Sequence, residues 1–141
     1  MEKELEYPTQ IVLVIDDTAL MRAMHRKHLL ALGFHEDNII EADDGLKGFG
    51  KLDGILKENK KPSLIICDWD MPVMNGIEFL KKMRMFPPAK DIPFLMVTGH
   101  DNPAEVAKLA AAGIGGVLTK PIKIDLYNKK IIELVGKTLG A

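Results

Sequence analysis

Two rhythms of apolar and polar positions run through the chain. Short continuous apolar runs occupy 11–15, 64–67, 94–97 and 117–118, and between them apolar residues recur at helical steps. A continuous run suits a strand covered on both sheet faces. Recurrence every three to four residues suits a helix with one buried face. The pattern predicts a strand at 11–15 and a helix at 18–32, where Leu20, Met21, Met24, Leu29 and Leu32 recur and Gly33 is placed to stop it. A second strand follows at 38–42. The helix at 44–56 carries Leu46, Phe49, Leu52, Ile55 and Leu56 on one face, and Gly48, Gly50 and Gly54 weaken it. Residues 57–62 read as a charged loop.

The third strand, 63–68, leads to a helix at 76–85 closed by Pro87 and Pro88. The fourth strand is 93–98. Pro103 fits the first turn of the next helix, with Asp101 or Asn102 as cap and Gly113 as its end. A fifth strand, 116–119, precedes a helix over 123–139 carrying Leu126, Ile131, Ile132, Leu134 and Val135. Regular strand–helix alternation argues for a flavodoxin-like (βα)5 fold, a doubly wound parallel sheet in the order 2-1-3-4-5. Residues 1–10 are read as an N-terminal tail and 11–141 as one domain.

Composition adds bounds. With 141 residues, 28% charged and 47% hydrophobic, the chain is of ordinary globular make-up and long enough to bury a core. A net charge of −1 gives no reason to expect nucleic acid or an acidic membrane as partner. The segment 109–118 is about half the length of a membrane span, and 1–10 lacks the apolar core of a signal peptide. One cysteine, Cys67, excludes an internal disulfide framework, so a cytoplasmic setting is expected.

The chemistry lies where the strands end. Asp16 and Asp17 end the first strand, Asp68 the third, Thr98 the fourth, and Lys120 follows the fifth. Parallel strands carry all these ends to one edge, where open α/β sheets place their sites. Three carboxylates suit Mg²⁺, a hard ion that takes oxygen ligands. Taken alone, Asp16 and Asp17 could merely cap the following helix; Asp68 at an equivalent strand end makes capping the weaker reading. Asp68 is the best nucleophile, since a carboxylate can accept a phosphoryl group as an acyl phosphate. Lys120 can place a positive charge on a phosphoryl oxygen, and Thr98 can donate a hydroxyl hydrogen bond to the same group. Alone, a strand-end Thr or a surface Lys would mean little; their joint placement singles them out.

Four motifs make this specific: Leu13-Val14-Ile15-Asp16-Asp17, the stretch from Ile66 through Asp68-Trp69-Asp70-Met71-Pro72 to Gly76, Met96-Val97-Thr98-Gly99, and Leu118-Thr119-Lys120-Pro121. In order and spacing they resemble the receiver domain of two-component response regulators over most of 11–139. The segment 16–22 resembles the stand-alone, CheY-like chemotaxis branch. The resemblance implies that Asp68 is the phosphoacceptor and that Asp17 binds Mg²⁺ directly, with Asp16 helping. It also implies that the backbone carbonyl of Asp70 completes the protein ligands and that Thr98 and Lys120 contact the phosphoryl group. The Lys120–Pro121 peptide is expected to be cis by the same likeness. A histidine kinase or phosphotransfer protein would supply the phosphoryl group. The face made by 101–113, 116–119 and 123–139 would read it out, with a flagellar motor switch as the obvious target. Such a protein catalyses only its own phosphorylation and dephosphorylation.

This chain departs from the family at three positions. Val117 stands where the family has its switch aromatic, so no ring can swing inward, which favours a phosphate sink or shuttle over an effector. Asp70 stands two after the phosphoacceptor, where the chemotaxis regulator has Asn, and is expected to change the lifetime of the phosphorylated state. His100 stands two after Thr98 and reads as an exposed loop residue. Asp68-Trp69-Asp70 also resembles the nucleophile motif of haloacid-dehalogenase-type phosphatases. There the acidic pair comes last; here it comes first, which argues against that reading. The remaining expectations are bland ones. Cys67 reads as a core thiol, His25 and His28 as a polar helix face, Trp69 as an exposed loop residue near the site, and Met21, Met24 and Met83 as core.

Overall fold

The computed structural model describes residues 9–99 and 102–138. Five parallel strands lie in the order 2-1-3-4-5: β1 (Val12–Ile15), β2 (Ile39–Ala42), β3 (Leu64–Asp68), β4 (Phe94–Thr98) and β5 (Gly116–Thr119). The helices between and after them are α1 (Ala19–Leu32), α2 (Gly45–Lys57), α3 (Gly76–Arg84), α4 (Pro103–Ala111) and α5 (Ile124–Thr138). Fold class and strand order are as the sequence predicts, and the ends agree within a residue or two. Two short 3₁₀ turns, Glu36–Asn38 and Pro87–Ala89, are additional, the first taking Asn38 from the strand expected at 38–42. Of the segments expected as tail and cap, 1–8 and Asp101 lie outside the described residues, as does His100.

Side chains alternate across the pleat, so each strand feeds two cores. Val12, Val14, Leu64, Ile66, Leu95 and Val97 face α1 and α5, meeting Leu29, Tyr127, Ile131 and Leu134. Leu13, Ile15, Ile65, Cys67, Phe94 and Met96 face α2, α3 and α4, meeting Leu52, Phe79, Leu80, Met83 and Leu109. Each fully buried Leu or Ile contributes roughly 1.5–3 kcal/mol of transfer free energy. Cys67 is the core thiol expected, its pKa raised by burial.

The local signals that end and start helices act as read, with additions. Thr18 caps α1, and Gly33 (φ 108°) closes it with a Phe34 N–H bond to Leu29 O. Asn75 and Glu78 form a reciprocal capping box on α3, whose N-x-x-E spacing is legible in the sequence. Asn102 caps α4. Arg84, at the end of α3, donates to Lys90 O at 2.8 Å, Ile92 O at 3.2 Å and Gly113 O at 2.9 Å. It thereby ties the approach to β4 to the turn after α4.

Several apolar residues do not take the buried positions predicted. Leu20 is 82% exposed. It sits in the first turn of α1, beyond the edge of the sheet, where there is no core to meet. Leu46, Leu126 and Ile132 are exposed too. Met21 and Met24 are only half-buried. His25 is the reverse case. It lies in the core with Tyr127, Nδ1 2.7 Å from the phenolic oxygen, not on a polar face. A ring with one hydrogen-bond partner can be buried at modest cost, and helix α5 brings that partner from 102 residues away.

Two predictions follow from this packing. A Cβ on Gly48 would fall 2.7 Å from Ile15 Cδ1, whereas Gly50 and Gly54 have nothing within 4 Å. Gly50→Ala and Gly54→Ala should each stabilise the chain by about 0.5–1 kcal/mol, and Gly48→Ala should destabilise it, as read from urea unfolding midpoints. Burial, with Lys120 and His28 nearby, lowers the His25 pKa to about 4. Between that value and the ordinary 6.5 the unfolded chain binds the extra proton, so this stability is complete above pH 6.5 and lost on acidification. The His25 contribution lost by pH 4 should reach on the order of 3 kcal/mol, measured as the difference in pH slope between the wild type and His25→Val.

Candidate functional site

Asp16, Asp17 and Asp68 meet at the carboxyl edge of β1 and β3, which pair directly. One carboxylate oxygen from each lies within 4.8 Å of the others. Asp16 is almost fully buried (1%) and Asp68 nearly so (5%), while Asp17 is exposed. The turn into α1 holds Asp16 firmly. Its Oδ1 accepts from Thr18 N–H at 2.9 Å and from the Thr18 hydroxyl at 3.0 Å, and its carbonyl accepts from Arg22 at 2.7 Å. Its other oxygen, Oδ2, is buried and has no protein partner. An ionised oxygen in that position is costly unless a cation answers it. These carboxylates could hold a divalent metal ion, and the donor set is the all-oxygen one that Mg²⁺ prefers.

Lys120 reaches in from the end of β5, its Nζ 3.4 Å from Asp68 Oδ1. Burial, and then the charge of Asp16, push the Asp68 carboxyl up to about 6 against the pull of Lys120. Thr98 is fully buried at the end of β4, and its carbonyl accepts from Lys120 N–H at 2.7 Å. Residues from four strand ends therefore share one edge, as the motif spacing predicts. The Lys120–Pro121 peptide is cis.

The loop after β3 forms the site's floor. Gly76 donates its N–H to Trp69 O at 2.9 Å, and a Cβ there would lie 2.5 Å from Asp68 O. Only glycine lets α3 start this close to the acceptor strand. Asp70 is exposed and stands outside the carboxylate cluster. Trp69 corrects an expectation: it is half-buried and packs on the core below the loop. Val117 is half-buried against the cluster that includes Met96 and Leu109. No sequence signal marks Val73, which sits at φ 72° in this loop and is 75% exposed. Asn or Gly there would have announced the turn.

An open parallel sheet with an acidic cluster at the switch point and a lysine reaching in from β5 defines a doubly wound α/β protein with its candidate site on that edge. Residues 12–132 match the response regulator receiver domain, and the chain belongs to that family. A CheY homologue of Campylobacter jejuni is 33% identical over 129 residues, 92% of this chain and 95% of its own length. CheY1 of Helicobacter pylori is 33% identical over 125 residues, 89% of this chain and 96% of its own. The solved structure of CheY4 of Vibrio cholerae superposes with a TM-score of 0.75 at 30% identity, covering 89% of this chain and 98% of that one. The chain is thus a CheY-like receiver, not a metabolic enzyme of haloacid-dehalogenase type. Among the described residues no helix is long and apolar enough to cross a membrane.

A β-branched residue at positive φ carries strain of order 1–2 kcal/mol. Val73→Asn should raise stability by about 1 kcal/mol, seen as a higher urea midpoint with unchanged slope.

Proposed function

We propose that this chain accepts a phosphoryl group on Asp68 from a histidine kinase or phosphotransfer protein and so works as a signalling switch, in chemotaxis or a related response. One observation carries this reading. Three carboxylates lie within 4.8 Å of one another, with the Lys120 ammonium 3.4 Å from the central one. An Asp68 oxygen attacks phosphorus, the phosphorus–nitrogen bond of the donor's phosphohistidine breaks, and the imidazole leaves with that electron pair. Water later attacks the acyl phosphate and releases inorganic phosphate, restoring the carboxylate. These are the only reactions the chain catalyses, both on itself.

Asp16, Asp17 and Asp68, with the backbone carbonyl of Asp70, would hold Mg²⁺. When bound, the ion supplies positive charge that shields the acceptor carboxylate from the incoming phosphoryl oxygens. Lys120 pairs with a phosphoryl oxygen and Thr98 donates its hydroxyl to another, so both stabilise charge on the transferring group. The exposed carboxylate of Asp70 sits two residues from the acceptor and tunes how long the acyl phosphate survives.

The output face is α4, β5 and α5. Ala104, Ala107, Ala110 and Ala111 of α4 are exposed, as is Leu126 of α5. A small apolar surface of this kind suits a protein partner such as a flagellar motor switch component. Val117 favours a second reading, a phosphate sink or shuttle, since it has no ring to reposition. A cytoplasmic location and a one-domain unit at 11–141, with 1–10 as tail, complete the proposal.

The deciding experiment is intact-protein mass spectrometry after incubation with acetyl phosphate. One added phosphoryl group is expected, requiring Mg²⁺ and absent from Asp68→Asn. Persistent absence of the adduct, with no release of free phosphate, would sink the reading. Rapid phosphate turnover without any phosphorylation-dependent partner would favour the sink.

A further inference from the structure

The buried His25–Tyr127 pair lies outside the carboxylate cluster, yet it joins the two helices that follow the site's opposite walls. Helix α1 begins directly after Asp16 and Asp17. Helix α5 begins four residues after Lys120. β1 and β5 are not neighbours; β3 and β4 lie between them. Strand pairing and the Lys120 N–H bond to Thr98 O fix the Lys120 backbone against β4. Its long side chain borders the space between α1 and α5, so how those helices pack sets where the ammonium rests.

Packing there is incomplete. A hollow of about 270 Å³ opens between the helices, and Met21, Met24, His28, Lys120 and Ile124 are among its lining residues. Apolar contact falls off steeply across such a gap, so it sets spacing weakly. A hydrogen bond does the opposite, because it is short and directional. The 2.7 Å bond between His25 Nδ1 and the Tyr127 hydroxyl is buried, and Tyr127 is in the first turn of α5. The His28 ring stands edge-on to Tyr127, with centroids 5.8 Å apart, and also lines the hollow beside Lys120.

We infer that His25 and Tyr127 are positioning residues: their bond sets the spacing of α1 and α5 and thereby holds the Lys120 ammonium against Asp68. Neither residue touches the reacting atoms. The inference rests on the proposed phosphoryl transfer to Asp68 only for its effect on rate; the effect on Lys120 itself stands apart. An apolar pair of suitable volume could fill the same space, but it would set no fixed distance. The chain keeps a buried polar pair where packing alone would serve stability.

The test compares wild type, Tyr127→Phe and the double variant His25→Val/Tyr127→Leu, the last removing both partners so that no buried group is left unpaired. Three quantities are read: the urea midpoint, the phosphorylation rate at saturating acetyl phosphate and Mg²⁺, and the NMR signal of the Lys120 side chain. The double variant should recover most of the wild-type midpoint. Its saturated rate should stay about tenfold below wild type, a loss of the size that small misplacement of a charge-stabilising group produces. The Lys120 signal should move towards that of an exposed lysine. A double variant with wild-type rate and an unmoved Lys120 signal would overturn the inference and leave the pair as packing. If the double variant does not fold, Tyr127→Phe decides by the same two readings. Absence of phosphorylation in every form, wild type included, would refute the functional proposal instead, and the Lys120 signal would still judge this one.

Discussion

Parallel pairing is the constraint on which the rest depends. A parallel neighbour cannot be reached by a tight turn, so each connection must cross the sheet and carries a helix. That single requirement covers both faces, sends alternate side chains of each strand into separate cores, and delivers every strand's carboxyl end to one edge. Asp16, Asp68, Thr98 and Lys120 are far apart in sequence, and this geometry brings their strand ends to one edge. The continuous apolar runs of β1, β3 and β4 are its cost in composition, since strands covered on both sides have no polar face to show.

At that edge the structure works against itself. Three carboxylates share a small volume, and one oxygen of Asp16 is buried without a protein partner. Opposing this are the hydrogen bonds from Thr18, the ammonium of Lys120 and the start of α1, whose free N–H groups favour negative charge. Local violation of the rules that stabilise folded chains is what a functional edge looks like. The same holds for the loop beneath it, where Val73 adopts a backbone conformation that its branched side chain resists.

Much of this was legible in the sequence because the signals are local or periodic. Runs of apolar residues gave the strands, Gly33 and Pro103 marked helix boundaries, and the position of each polar residue at a strand end placed the site. What was not legible depended on contacts between distant segments. His25 looks like a polar residue until Tyr127 arrives from α5. Leu20 and Leu46 fit a helical stripe, but the stripe outruns the sheet that would bury them. Trp69 follows the acceptor in a loop, and only the path of α3 shows that the ring packs inward. Sequence periodicity tells which side of a helix is apolar; it does not tell how far the core extends along that side.

The thin seating of α4 carries a consequence of its own. Leu109 is its one buried side chain among the described residues; Asn102 caps its start, and Arg84 bonds Gly113 O just past its end. Helices α1, α3 and α5 each bury two or more side chains, whereas this helix buries Leu109 alone among the described residues. Its backbone hydrogen bonds therefore open in a local excursion that leaves the sheet closed, at a free energy well below that of unfolding the whole chain. The molecule thus has a natural order of disassembly, and an early step falls beside Thr98, on the face proposed as the output surface.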